Sequence, residues 1–452
     1  MLLCCVLSAS TAFGAQAQAA LQRAAALVQE GRLQEAEQQA QLAMSDPATR
    51  AAACSVLGAI RVQQQRLAEG VALLEEAIRL DARLLGAQRN LADIKGSAEG
   101  LLALAADFLK RGNRASAAAL VEDARRLRDV PPGWSVAFAE MLVKGGLVAE
   151  GTSVLERARK ADPGSYELAF ALAGARLSKG DPSGALEAYD AALALKPTSL
   201  MALRQAAAVA EREGELERSL SFWVRARKLA ADDPEVLLGF GRVCLKMDLL
   251  EDAQVPLTRA AELKPGEPVY QYTLAVAKVG KRQYEAAQAL LEPLVAQRPA
   301  DAQLQYALGS VLYMQGHLTE AEARLRESLR LDGNQVASPY YLALVARDQG
   351  RDAEAASRLE EILRRHPDHA SSCEALGGLR MNDGRYPEAE RLLHKAIDLN
   401  PKSVKANYQL GLLLARTGRK EEADRQLALA KSLREEDDAT SRLQLRLIEP
   451  EG

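Results

Sequence analysis

Aromatic residues are scarce, at 4% of 452 positions, and histidine occurs only four times. With so little imidazole and no Cys-x-x-Cys pair, no zinc-site pattern is present. There is no Gly-x-Ser-x-Gly elbow and no phosphate loop, so the usual sequence marks of hydrolases and nucleotide enzymes are missing. Runs of alternating β-branched residues are also absent, and sheet is not expected. Neither sign of charge dominates. The 58 Lys and Arg face 61 Asp and Glu, interspersed, for a net charge of −3. That balance excludes a nucleic-acid platform and a polybasic membrane binder. Past the first residues no stretch is long and apolar enough to span a bilayer. What fills the chain instead is alanine, leucine, glutamate, arginine and glutamine, all good helix formers. At this length the chain is several domains or one elongated array.

The N-terminus differs from the rest. Leu2 to Gly14, "LLCCVLSASTAFG", is apolar and uncharged, and Ala15 and Ala17 follow in an A-x-A arrangement. Residues 1–17 therefore read as a secretory signal, too short for an ordinary membrane span. No Lys or Arg precedes the apolar run, so a cytoplasmic location stays open beside an exported one. Cys4 and Cys5 lie inside this segment. Cys54, Cys244 and Cys373 remain, odd in number and far apart, and imply no disulfide framework.

A period of 34 residues organises the chain. Stepping back by 34 from Gly418 reaches Gly384, Gly350, Gly316, Arg282, Asp248, Gly214, Gly180, Gly146 and Gly112, eight glycines in ten places. Five residues after each stands Ala117, Gly151, Ala185, Ser219, Ala253, Ala287, Ala321, Ala355, Ala389 or Ala423. Seven residues before each stands another Ala or Gly, from Ala105 to Gly411. Nine after each is a larger residue, from Val121 through Tyr189, Trp223 and Leu257 to Leu427. The pattern predicts pairs of helices, A then B, reversing at the glycine column. Small residues mark where the two helices touch, and large ones fill the space around that contact. Many units close on a proline, as at Asp162-Pro163, Lys196-Pro197, Lys264-Pro265, Arg298-Pro299, His366-Pro367 and Asn400-Pro401. Such a proline stops one helix and is tolerated in the first turn of the next.

This pattern resembles the tetratricopeptide repeat family, of the exported bacterial type. The resemblance divides the chain into a signal peptide (1–17), two N-terminal units (18–84), an irregular insertion (85–97), ten gapless units (98–437) and a C-terminal tail (438–452). The insertion is expected to form an extra helical turn or a distorted hairpin, and the tail a polar cap. The implied fold is an all-α, right-handed superhelical solenoid of about twelve units, with A helices lining a concave face. The family is defined by packing residues, so function must come from the site.

Candidate site residues follow from that frame. The fifth residue of each unit points into the implied groove. These residues include Phe170, Arg204, Tyr272, Tyr306, Tyr340, Glu374 and Tyr408, and Tyr313 lies two turns beyond Tyr306. A tyrosine ladder offers contact area and hydroxyls to an extended peptide or an apolar helix, or else simply packs between A helices. Upstream, Arg204, Arg212, Arg242 and Lys246 form a basic cluster suited to an acidic side chain or a terminal carboxylate, tempered by Glu211. Its alternative is a solvated face of local ion pairs. His366-Pro-Asp-His369 looks like a metal pair but occupies an inter-unit turn. Gly239-Phe240-Gly241 is a fragment of a dinucleotide fingerprint without a preceding strand. The three later cysteines fall at packing places. No catalytic, cofactor or metal residue is assigned.

The expectation is a non-enzymatic adaptor that holds a protein or peptide partner in its groove, in the bacterial periplasm or envelope. It binds no nucleic acid and has no membrane span once the signal is removed. The alternative is an accessory of envelope polysaccharide synthesis or export that binds glycan directly, since aromatic ladders also stack on sugars.

Overall fold

The computed structural model describes residues 2–127 and 130–440, with side chains over 14–127 and 130–435. It divides into two compact units, Met1–Ala202 and Leu203–Gly452. The first holds the hairpins α1 (Leu2–Gln29) with α2 (Leu33–Ala43) and α3 (Pro47–Gln63) with α4 (Leu67–Leu80). After them come α5 (Leu85–Lys95), then α6 (Ala98–Lys110) with α7 (Arg114–Ala124) and α8 (Trp134–Lys144) with α9 (Val148–Ala161), then α10 (Tyr166–Lys179) with α11 (Pro182–Leu195). Helix α12 (Leu200–Arg212) spans the boundary residue and pairs by sequence with α13 (Leu216–Leu229). The second unit continues with α14 (Pro234–Lys246) and α15 (Leu250–Leu263), α16 (Pro268–Gly280) and α17 (Tyr284–Gln297), and α18 (Ala302–Met314) and α19 (Leu318–Leu331). It ends with α20 (Ala337–Asp348) and α21 (Asp352–Arg365), α22 (Ala370–Asn382) and α23 (Tyr386–Leu399), and α24 (Val404–Arg416) and α25 (Lys420–Thr440). The described residues are thus an all-α array of twelve hairpins and one lone helix, with no strand.

The A-to-B reversal has one geometry throughout. Each turn passes through one residue with positive φ, from Gly31 (76°) and Gly112 (73°) to Gly418 (84°). Gln65 (62°), Asp248 (66°) and Arg282 (56°) occupy the same place and take the same conformation, which glycine adopts without the steric cost a side chain brings. The small columns meet as expected. A Cβ added to Gly309, Gly377 or Gly411 comes within 2.7–2.9 Å of Leu325, Leu393 or Leu427, the large residue nine places past the turn. Ser219, the one polar member of its column, is fully buried and donates to the carbonyl of Ala207 at 2.8 Å.

Two expectations need correction. Residues 85–95 are neither a single extra turn nor a distorted hairpin but a complete 11-residue helix, α5, without a B partner of its own. The prolines that close the units follow the C-caps Asp162, Lys196, Lys264, Arg298, His366 and Asn400, so they stop the preceding helix rather than start the next. Other prolines, Pro47, Pro182, Pro234 and Pro268, open helices. At the two ends, α1 runs through position 17 without a break, and the buried contacts of its first A helix begin at Ala17 and Ala20. The signal-peptide reading rests largely on residues 1–13, whose side chains lie outside the described residues. α25 continues past position 437 to Thr440, and 441–452 of the expected tail also lie outside the described residues.

Candidate functional site

The tyrosines of the expected ladder divide between surface and interior. Asp301 caps α18, accepting from the amides of Gln303 and Leu304 at 3.1 Å, and so fixes the rotation of the helix that carries Tyr306 and Tyr313. Tyr306 is 1% exposed and presents its ring to Tyr341 at 5.8 Å. For this position packing takes the side chain away from a groove. Tyr272 and Tyr340 stay half-buried, and Tyr408 is 50% exposed. The Tyr272 hydroxyl accepts from Gln303 Nε2 at 3.1 Å, and burial pushes its pKa up to about 12.

A residue outside the ladder joins these rings. Tyr341 makes edge-to-face contacts with Tyr306 at 5.8 Å, Tyr313 at 5.6 Å and Tyr340 at 5.7 Å, and Tyr340 meets the ring of His369 at 5.4 Å. Such pairs add to the area they bury. The cluster joins α18, α20 and the cap of α22. Its polar edge is Tyr313, whose hydroxyl donates to Asp348 at 2.7 Å and receives a longer contact of 3.4 Å from Arg347. Burial, then the bond to Asp348, raises the Tyr313 pKa, so the phenol is neutral and serves as a donor. The result is a surface of partly exposed rings with hydroxyls at its margin, rigid because each ring is held by a neighbour. Sequence spacing found Tyr306, Tyr313 and Tyr340 but passed over Tyr341, whose adjacency to Tyr340 was the available signal, and it noted His369 only as part of a metal-pair look-alike at a unit boundary.

The basic cluster is matched internally. Arg242 donates to both carboxylate oxygens of the buried Glu211, at 2.7 and 2.6 Å, and Lys246 Nζ lies 3.6 Å from the same group. Arg204 pairs with Glu235, and Arg212 stands 3.8 Å from Glu213. The network ties α12 to α14, and it is the local ion-pair alternative that the geometry favours. Glu374, another fifth-place residue, is held by Lys405 at 2.9 Å and by the Ser403 hydroxyl at 2.7 Å. Phe170, in the first unit, stacks on Tyr166 at 5.7 Å and meets Tyr189 edge-on at 5.8 Å.

The remaining motifs have structural employment. Gly239 and Gly241 lie within α14, where Trp223 and Leu257 leave no space for a Cβ. His369 caps α22, with Nδ1 accepting from the Ser372 amide at 3.2 Å, and His366 is the C-cap of α21. Cys54, Cys244 and Cys373 are buried, and burial raises all three thiols, Cys244 to about 12. Among the described residues no group of three or more His, Cys, Asp or Glu is placed to hold a metal, and no helix is long and apolar enough to cross a membrane.

The family model described as tetratricopeptide repeat matches residues 136–199, 272–336 and 374–430. Among curated proteins, the chain is 24% identical over 255 residues to Cellulose synthase operon protein C of Pseudomonas fluorescens (strain SBW25), covering 54% of this chain and 20% of that protein. The chain thus spans about a fifth of that relative's length. Among solved structures, a tetratricopeptide repeat protein from Parabacteroides merdae ATCC 43184 matches at 17% identity and TM-score 0.45, over 55% of this chain and 97% of that one. The APC/C hetero-tetramer Cut9–Hcn1 matches at 14% identity and TM-score 0.46, over 91% and 86%.

Proposed function

Since the chain belongs to the tetratricopeptide repeat family, whose fold supports protein–protein interaction scaffolds, we propose that it is a non-enzymatic adaptor binding a polypeptide partner on the A-helix face of its second unit. The observation that carries this reading is the ring cluster of Tyr306, Tyr313, Tyr340 and Tyr341 on α18 and α20, with Tyr272 on α16 and Tyr408 on α24. Half-buried tyrosines offer large, rigid contact area at little entropic cost, and their hydroxyls can pair with a backbone. Tyr272, Tyr340 and Tyr408 are the contacts in this proposal. Tyr306 supports Tyr340 from inside through Tyr341, Phe170 packs within the first unit, and Arg242 and Lys246 on Glu211, Arg204 on Glu235 and Arg212 beside Glu213 are engaged in local ion pairs rather than gripping the partner.

The proposed location is the bacterial envelope. Two things support it: the signal-like stretch over 1–17 and the name of the distant relative, Cellulose synthase operon protein C. That name also supports a second reading, direct binding of an envelope glycan to the same rings.

The test compares the full chain with a Tyr272→Ala, Tyr340→Ala, Tyr408→Ala variant that leaves the buried Tyr306 intact. Both are used to capture partners from an envelope extract and to titrate cello-oligosaccharides, after equal helicity is verified by circular dichroism. A protein retained by the parent and lost by the variant supports the adaptor reading. Saturable sugar binding that the variant loses moves the assignment to glycan. Equal retention by both removes the rings from the site.

A further inference from the structure

The fifth-place residues of the second unit run from Arg204 to Tyr408 at intervals of 34, and four of them are met by the same part of the following hairpin. Arg204 pairs with Glu235, the second residue of α14. The Tyr272 hydroxyl accepts from Gln303, the second residue of α18. Tyr340 meets the ring of His369, the N-cap of α22. Glu374 is held by Lys405, the second residue of α24, and by Ser403, its N-cap. The direction has a physical cause. Side chains on a helix lean towards its N-terminus, so a fifth-place residue lies over the first turn of its own helix and meets the first turn of the next A helix.

The remaining fifth places fit the same rule. Leu238 has no polar group to hold. For Tyr306 the residue corresponding to Gln303 is Ala337, whose methyl group is too short to hold a tyrosine at the surface, and Tyr306 is 1% exposed. No further A helix follows α24 among the described residues, and Tyr408 is 50% exposed. The holding residues are themselves fixed. The Gln303 amide donates to Asp301 at 3.1 Å, Ser403 Oγ accepts from the Ala406 amide at 3.1 Å, and His369 Nδ1 accepts from the Ser372 amide at 3.2 Å. Histidine stands out among these caps. The side-chain caps of α14, α18 and α24 are Asp233, Asp301 and Ser403, the residue types that cap best. Capping alone does not account for His369, whereas a ring beside Tyr340 does.

We propose that Gln303 and His369 are positioning residues of the tyrosine surface, each aiming the fifth-place ring of the preceding hairpin, Tyr272 and Tyr340 respectively. The consequence for a partner rests on the adaptor reading above; the aiming of the rings does not. A ring already held in place loses less freedom when it is bound. The residues that touch a partner and the residues that aim them then belong to different hairpins. A change in the first turn of one A helix retunes the surface presented by the helix before it. The competing account is that these pairs only join neighbouring hairpins, and that the rings keep their places without them.

Two variants at one position separate the accounts. His369→Asp keeps a capping acceptor and removes the ring, whereas His369→Phe keeps a ring and removes the acceptor. Hydroxyl-radical labelling of the free full chain reads the exposure of Tyr340, and amide exchange on α22 peptides reads the cap. In His369→Asp, labelling of Tyr340 rises about twofold, the scale of a half-buried ring coming free, and protection of α22 stays at the parent level. In His369→Phe, labelling stays at the parent level and protection falls about fivefold, the scale of a lost cap. Gln303→Ala, at an exposed position, raises the labelling of Tyr272 and leaves Tyr340 unchanged. Tyr340 labelling that ignores His369→Asp, or that rises equally in His369→Phe, overturns the proposal. Tyr272 labelling that ignores Gln303→Ala does the same. Capture from an envelope extract reads the consequence: His369→Asp weakens retention of the partner roughly three- to tenfold, and His369→Phe does not. Labelling that responds as stated while capture does not upholds the aiming of the rings and removes the adaptor reading.

Discussion

Replacing glycine by alanine inside a helix has opposite signs at two positions of this array, and the packing decides which. Gly174 lies within α10, is exposed, and has no heavy atom within 4 Å of the place a Cβ would take. Gly174→Ala therefore brings only the gain in helix propensity, about 1 kcal/mol. Gly377 lies within α22, and its added Cβ would stand 2.9 Å from both Cγ and Cδ2 of Leu393. Carbon atoms prefer about 3.5–4.0 Å, so one of them must retreat by several tenths of an ångström. Leu393 has no exposed surface and is packed in a cluster with Met381, Leu410 and Leu413, so it has nowhere to go. Overpacking of this kind costs about 1–3 kcal/mol, which outweighs the propensity gain. The net expectation for Gly377→Ala is a loss of about 1 kcal/mol. Repeat arrays open in parts, so one global midpoint is a poor readout. Amide hydrogen exchange read on peptides from α10–α11 and α22–α23 is the suitable assay. Protection rises about fivefold around Gly174→Ala and falls by a similar factor around Gly377→Ala. A rise at Gly377 equal to that at Gly174 refutes the claim that the small columns are sites of enforced close approach.

Two other perturbations follow from local geometry. Arg282 holds φ of 56° at an exposed turn, a strained conformation for a side-chain-bearing residue, so Arg282→Gly should stabilise the α16–α17 hairpin by about 0.5–1 kcal/mol. The same exchange assay reads it, and a loss of protection counts against it. Glu37 accepts from Arg61 at 2.7 Å, and that bond holds its pKa below the ordinary glutamate value of 4.5. A depressed folded pKa means stability that is complete above that value and lost as pH falls through the folded pKa. The melting difference between the parent and Glu37→Gln should therefore be full at about pH 7 and shrink as pH falls through the lowered folded pKa. A difference that grows on acidification contradicts the pairing.

The packing of this fold was legible because its rules repeat. Twelve turns share one backbone conformation. Even Asp248 and Arg282, which break the glycine column, are carried into it by the helices on either side. The leucines nine places past the turns meet the glycines that the spacing predicted. α5 was harder, because 85–95 has no second helix against which its small and large residues could be registered. The site was less legible still. A residue at the fifth place faces both the neighbouring A helix and the open side, and sequence alone does not weigh one against the other. Tyr306 went inward because Tyr341 closes over it, while Tyr272 and Tyr340 kept part of their surface. The basic cluster was recognised as charge, but the pairing of Arg242 with Glu211 depends on the register between α12 and α14.

The central claim is that a partner polypeptide lies on the tyrosine-bearing A-helix face. Photocrosslinking tests it most directly, with benzoylphenylalanine placed at position 340 in one sample and, in another, at Val255, a B-helix residue 75% exposed. A discrete crosslinked protein at position 340 that is missing at 255 is the predicted result. Crosslinking at 255 alone, or equally at both positions, contradicts it.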